Sequence, residues 1–572
     1  MRNRLAAFSI VTGMTLLLFI AGALFVPTIL FVAHIPITIF HIWIAAGLAV
    51  GTAWLSAKMI QAERPLRLFA ESVVAACLLF GVCFWVSGSF YDLSYDGQAY
   101  HQESVIYLDN GWNPVYDEPI HEPTGHSVWV NHYARASETA SAVLYKATGL
   151  IEHSKAINLL AIAASLLLSL GALFTLRPAK SEEATTGQAG YAWRAVIVAV
   201  LLAFNPVSVY QAFSYYVDGL LASMMLCMVA LGFLIFARPG WLLLSAYTSA
   251  MVFAINIKFT AIAYAGVLTV GLLITLYMSE QFTRLKHLVI IGASGTLLAV
   301  LLIGYNPYVT NTIRMGNPLY PLAGEDAIDV VKNFTPRNLE AMSRFDQAIH
   351  SYFAVTTGNS TEKKSTVTKL PFTVTENELI AMGDPDVAVS GFGPLFSGVL
   401  LLSLLVLLLA FWKRPGLSLA ALGLMIIIAA SAFVNPASWW ARYVPQLWLL
   451  PLLCAWLGFS LKGSRLLTGA SWALTGVIAA NVILVSATYT YHQWTWNQTL
   501  RSQLTELQTL SASSPLPAEF TYSWSNQERF KALGIQFKEQ NPLECGDRQE
   551  KLTLMKSGTS VCVKQDALAQ KK

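Results

Sequence analysis

About thirteen apolar stretches run along this chain, each near the ~20 residues that an α-helix needs to cross the hydrocarbon core of a bilayer. In that core every backbone N–H and C=O must be paired within the protein, so such stretches are read as helices. They fall near residues 5–30, 37–57, 68–88, 156–176, 195–212, 219–237, 241–257, 259–278, 287–304, 393–411, 416–434, 443–460 and 466–487. The expected fold class is an all-α polytopic membrane protein, a bundle of about 13 transmembrane helices with extracytoplasmic loops and a small α/β C-terminal domain. Met1-Arg2-Asn3-Arg4 gives the first run the positive flank of a signal peptide. The run is longer than a signal h-region and a second span follows closely, so it reads as a retained anchor.

Loops on the cytoplasmic side carry the Lys and Arg excess. With the N-terminus inside, that side collects Lys58, Arg64 and Arg67, then Arg177, Lys180 and Arg194, then Arg238, then Arg284 and Lys286, then Lys413 and Arg414, then Lys462 and Arg465. The same parity sends 89–155, 305–392 and 488–572 outward. These long polar segments contrast with short inner turns, so the working face is expected to be extracytoplasmic. The domain reading is an N-terminal hairpin over 1–67, a membrane domain over 68–487 and an extracytoplasmic domain over 488–572.

Charge and cysteine usage narrow the class further. The formal charge is +4, with no Lys/Arg block, and nucleic acid is not an expected partner. Cys77, Cys83, Cys227 and Cys454 lie in spans, whereas Cys545 and Cys562 form the one pair in the aqueous C-terminal region and are expected to form a disulfide in an oxidising compartment. Around them, Leu500, Leu504, Leu507 and Leu510 keep helical spacing, and 520–524, 534–537 and 560–563 read as short strands. This region reads as a structural cap over the outer face before it reads as an acceptor-binding module.

The first outer loop is the densest in chemistry-bearing residues, beginning Asp92-Leu93-Ser94-Tyr95-Asp96-Gly97-Gln98-Ala99-Tyr100-His101-Gln102-Glu103 where the third span ends. A carboxylate held there, partly desolvated yet reachable by a hydroxyl, suits a general base, and Asp96 is the leading candidate. Asp92, His101, Glu103, Glu118, His121 and Glu122 are candidate acidic or acceptor-side partners. Asp92, Asp96 and Glu103 also leave open an oxygen-ligand site for Mg²⁺ or Mn²⁺, although the reading requires no cofactor. Asp218 reads first as a helix N-cap and Trp439 and Trp440 as interfacial aromatics. The Ser/Thr/Lys-rich stretch 356–368 has the makeup of a mobile, gating loop.

The run 94–101 followed by Asn110-Gly111-Trp112-Asn113-Pro114 resembles the first outer loop of the GT-C superfamily of polytopic glycosyltransferases. The likeness is to the polyprenyl-phosphate-sugar-dependent branch, similar to protein mannosyltransferases and bacterial aminoarabinose transferases. Asn256-Ile257-Lys258-Phe259-Thr260, Tyr305-Asn306-Pro307-Tyr308 with 316–321, and Trp439-Trp440-Ala441-Arg442-Tyr443 look like further family segments in the same order. The resemblance covers roughly 68–460. It implies a GT-C-like bundle, Asp96 as catalytic base and a bacterial inner-membrane location. Lys258, Arg314 and Arg442, in or near these segments, are candidates to hold the donor phosphate, where cations would favour the departing charge.

Two departures stand out. Two extra apolar segments precede the loop, and Gly97 stands where some members carry a second acid, so any second carboxylate must come from Asp92, Glu103, Asp117, Glu118 or Glu122. The function implied is inverting transfer from a polyprenyl-phosphate-linked sugar to a glycan, lipid or protein acceptor at the membrane. No Walker or GxGxxG phosphate loop is present. The alternatives are a polytopic transporter, a lipid-glycan flippase or a nonenzymatic envelope-assembly protein.

Overall fold

A computed structural model describes residues 2–60, 63–117, 119–120, 126–176, 185–238, 240–360, 362–461 and 464–564. Glu118, His121 and Glu122, and the loop cations Arg177, Lys180 and Lys462, lie outside them. The apolar stretches form α1 (Arg2–Phe31), α2 (Phe40–Ile60), α3 (Pro65–Gly88), α4 (Ala156–Thr175), α5 (Thr185–Ala203), α6 (Asp218–Ala237) and α7 (Trp241–Ile255). They continue as α8 (Thr260–Met278), α9 (Phe282–Leu298), α10 (Phe396–Lys413), α11 (Pro415–Phe433), α12 (Leu449–Ser460) and α13 (Arg465–Ser511). Ten of the described helices are long and apolar enough to cross a membrane, and α5, α7 and α12 supply shorter apolar segments. The chain is a multi-pass α-helical membrane protein.

Burial separates the core helices from the lipid-facing ones. The apolar windows of α1 and α6 are 78% buried inside the protein, whereas that of α3 is 17% buried, so α1 sits at the centre and α3 on the rim. Ile10, Met14, Leu17, Ile20 and Leu24 of α1 join Leu160, Leu168 and Ala172 of α4 in one core. Close approach explains the pairing: a Cβ added at Gly171 would lie 2.5 Å from Ile10 Cγ1. Small residues let helices pack backbone to backbone where lipid gives no hydrophobic drive.

With thirteen alternating helices, the connections after each odd-numbered helix fall on one face. That face receives the turn before α2, 89–155, the turn before α6, the turn before α8, the long segment before α10, the turn before α12 and the C-terminal domain. In the long segment, β1 (Thr357–Gly358) pairs with β2 (Val387–Val389). The stretch expected to be mobile is tied at both ends, by Thr356 N donating to Glu378 Oε1 at 3.0 Å and by an Ala354–Thr368 bridge with Asn338 Nδ2 donating to Thr366 Oγ1 at 2.8 Å.

Residues beyond 487 differ from the expected separate helix. α13 is one helix of 47 residues, because no Gly or Pro interrupts it between Gly476 and Pro515. Its last turns present Leu500, Leu504 and Leu507 to Phe520, Phe530, Ile535 and Val561 of the C-terminal domain. The sheet there runs β4-β3-β6-β5, from β3 (Leu516–Phe520), β4 (Phe537–Glu539), β5 (Gln549–Thr553) and β6 (Thr559–Lys564). The first strand precedes the expected 520–524, since Leu516, Ala518 and Phe520 supply the buried alternation and Ser523 already opens a helix to Ala532. Pro515 and Pro517 hide that strand from a search for β-branched residues. Cys545 and Cys562 form a disulfide, with Cα atoms 5.4 Å apart.

Candidate functional site

The loop-rich face encloses a cavity of about 1740 Å³. Its wall draws on the first loop, the turns before α6, α8 and α12, the 305–392 segment and the C-terminal domain. A large cavity in which polar groups from distant segments converge is the default place for a ligand.

Asp96 reaches the cavity through a specific local fold. Ser94 N donates to Asp92 Oδ1 at 2.8 Å, Tyr215 N donates to Asp92 Oδ2 at 2.9 Å, and Gly97 N donates to Ser94 Oγ at 3.2 Å. Asp92 thus pins the loop to the turn before α6. Gly97–His101 then winds as a π-helical turn, closed by Gln102 N donating to Gly97 O. The wider turn sets Tyr100 and His101 on the cavity wall with Asp96. Such π turns concentrate at functional sites.

The floor of the cavity is a buried ionic cluster. Arg442 Nη1 lies 3.4 Å from Asp96 Oδ2 and 3.7 Å from Asp218 Oδ2, and Arg442 Nε lies 3.3 Å from Asp386 Oδ1. Lys258 pairs with Asp218, which also accepts from Gln211 Nε2 at 3.2 Å. The guanidinium lies over the rings of Tyr216, Trp440 and Tyr443, and the Lys258 ammonium is 4.3 Å from the Tyr443 centroid. Three carboxylates thus surround two cations against an aromatic floor.

Burial decides how these charges behave. It pushes the Asp386 carboxyl up to about 6, against the pull of Arg442, with the Asp96 charge adding to the rise. Burial opposes the Arg442 charge too, yet Asp386, Tyr443 and Asp218 outweigh it and hold the guanidinium well above its ordinary value. For Lys258 burial prevails over Asp218 and lowers the ammonium. His126 is lowered by burial against the pull of Asp96, which favours the neutral imidazole.

The chain matches no protein-family model, no curated protein and no solved structure.

Asp96, Lys258, Arg442 and His101 converge on the one cavity. Asp92 and Glu103 are buried but absent from its wall, and Arg314 is exposed elsewhere on the long segment. Asp92 accepts from two backbone N–H groups, and burial raises its carboxyl. Among the described residues no group of three His, Cys, Asp or Glu side chains is arranged to hold a metal ion, and Asp92, Asp96 and Glu103 do not converge. His101 Nδ1 pairs with Glu138, a buried partner from the same loop.

Some placements correct the sequence reading. Val217 is the N-cap of α6 and Asp218 is its first residue, so the Asp218 carboxylate serves Lys258 and Gln211 instead of capping. Trp439 and Trp440 are buried, one on the cavity wall and the other beneath Arg442, not spread at a lipid interface. Asp386 joins the cluster from a segment with no recognisable motif. Its only local signal is the acidic pair Asp384-Pro385-Asp386 just before an apolar strand.

Proposed function

We propose that this chain is an integral membrane glycosyltransferase that moves a sugar from a polyprenyl-phosphate-linked donor to a glycan, lipid or protein acceptor on the extracytoplasmic face. The observation that carries the reading is the meeting of Asp96 and Arg442, 346 residues apart in sequence, 3.4 Å apart at the floor of a large cavity. Both lie in segments that resemble the GT-C superfamily.

In this reading Asp96 takes the proton of an acceptor hydroxyl as its oxygen attacks the anomeric carbon. The bond from that carbon to the phosphate oxygen breaks, and the polyprenyl phosphate departs with the electron pair, which inverts the anomeric centre. Arg442 and Lys258 stand where charge grows on the leaving phosphate, and a guanidinium can hold it with two parallel N–H bonds. Asp218 and Asp386 hold these cations until the donor arrives. A transporter reading calls for ionisable groups near the bilayer midplane, whereas this cluster gathers at helix ends and loops on one face.

Replacing Asp96 by Asn in the full-length protein in lipid nanodiscs tests the reading. Release of polyprenyl phosphate from the donor in the presence of acceptor is expected to fall at least 100-fold, with the thermal midpoint held. Cells lacking the chain should lose one sugar substituent from an envelope glycan, lipid or protein. Full activity of the Asp96→Asn variant, or an unchanged envelope profile, would sink the proposal.

A further inference from the structure

The two sides of Asp96 differ. Towards Arg442 the site is charged and enclosed. On the other side it opens onto aromatic rings, and one of them comes from the C-terminal domain. Tyr522, Lys556 and Gly558 of that domain line the cavity. The Tyr522 ring lies 5.6 Å from that of Tyr95 at 87°, and the Tyr95 ring lies 5.7 Å from that of His126 at 81°. Tyr95 Oη and His126 Nε2 are 3.3 Å apart. Tyr95 is 54% exposed, unlike the fully buried Tyr216 and Trp439 of the floor. All three rings line the cavity, meeting edge to face, and they bring hydroxyl and imidazole groups to it alongside apolar ring surface. Apolar faces with polar tips suit a sugar ring, which has C–H faces and hydroxyl edges.

The rim is held in place. A Cβ at Gly558 would come 2.7 Å from Tyr522 Cε2, so the turn between β5 and β6 presses on the ring. Gln98 Nε2 donates to Lys556 O at 3.0 Å, and Lys556 Nζ lies 2.9 Å from Asp384 Oδ2. Contact with the loop of Asp96 and with the segment of Asp386 fixes the domain over the cavity. Asp96 is near enough for its charge to act on Tyr522, whose hydroxyl is pushed up to about 12 by burial first and by Tyr95 and Asp96 after it.

We propose that Tyr95, His126 and Tyr522 form the binding subsite for a saccharide acceptor, so that the C-terminal domain selects the acceptor as well as capping the bundle. This rests on the transferase reading above. An extended peptide would be caught by a free strand edge. Here, among the described residues, the outer strands β4 and β5 contribute nothing to the cavity wall, and the domain reaches it through turns.

The test uses the full-length protein in nanodiscs, with oligosaccharide released from the cell envelope by mild acid and a Ser/Thr-rich peptide as probes for saturation-transfer NMR. The oligosaccharide is expected to bind the wild type, about tenfold more weakly to Tyr522→Ala and to Tyr95→Ala, and within twofold of wild type to Tyr522→Phe. Tyr95 is exposed enough for its variant to report if Tyr522→Ala unfolds the domain. Lys551→Ala on the outer strand β5 serves as the surface control. In turnover, acceptor KM should rise about tenfold in both Ala variants while donor KM moves less than twofold. Equal oligosaccharide binding by wild type and Ala variants, or binding of the peptide alone, overturns the subsite. Failure of the wild type to release polyprenyl phosphate from any donor while the oligosaccharide still binds overturns the transferase reading and leaves the subsite standing.

Discussion

Asp386 is a buried carboxyl on the cavity floor whose proton affinity burial raises. Its carboxyl rises from an ordinary 3.8 to about 6 because burial outweighs Arg442. A carboxyl raised in the folded state binds its proton more tightly there than in the unfolded chain, so the folded state loses stability as pH climbs from about 4 through about 6. The roughly two-unit difference corresponds to about 3 kcal/mol. Asp386→Asn removes this dependence, and its thermal midpoint relative to wild type should rise from pH 4 to pH 7 and level off above. An offset that stays constant over that range would refute the assignment. Asp386 also marks the limit of sequence reading at this scale. Asp96, Lys258 and Arg442 sit in recognisable runs at span ends, whereas Asp386 gains its place only when the long segment folds back over the turn before α12.

The π-helical turn shows how an element can be written in one residue. Gly97 stands in the sequence where some members of the resembled family carry a second acid, and its role here is spatial: a Cβ there would lie 1.9 Å from Asp92 Oδ2 and 2.4 Å from Ser94 Oγ. Gly97→Ala must therefore push Asp92 off the N–H groups of Ser94 and Tyr215 or unwind the turn. A buried donor left unpaired costs about 1–3 kcal/mol, and Asp96 would leave its place beside Arg442. Transfer is expected to drop more than tenfold while the helical content by circular dichroism is unchanged; wild-type activity of Gly97→Ala would show that the turn does not set the site. The spans were legible because the bilayer demands long apolar runs. The π turn was not, since its wider winding answers to Asp92 and Tyr215 across the fold.

At the scale of the molecule, the C-terminal domain and the membrane bundle are joined by a buried ionic lock beneath the loop of Asp96. Arg529 Nη2 lies 2.7 Å from Glu152 Oε1, Lys155 Nζ lies 2.7 Å from Glu152 Oε2, and Asp92 N donates to Glu152 Oε2 at 2.9 Å. Arg529 also stacks over Tyr91, 4.6 Å from its centroid, with Arg501 of α13 on the same ring at 5.1 Å. The long α13 carries the domain up from the bundle, and Arg529 fastens it down again over the cavity. Removing one member of a buried pair strands its partner and costs about 3–5 kcal/mol. Lys155 still faces Glu152 in Arg529→Ala, which places the cost near the lower end. About 3 kcal/mol is roughly a 100-fold shift in the opening equilibrium of the domain. Proteinase K should then cut residues 512–564 roughly 100-fold faster than in wild type under conditions where opening and closing outpace cleavage, with the helices of the bundle still protected. Equal digestion rates would mean that α13 and the contacts of Lys556 with Gln98 and Asp384 hold the domain without Arg529, and the C-terminal rim of the cavity would then owe nothing to this lock.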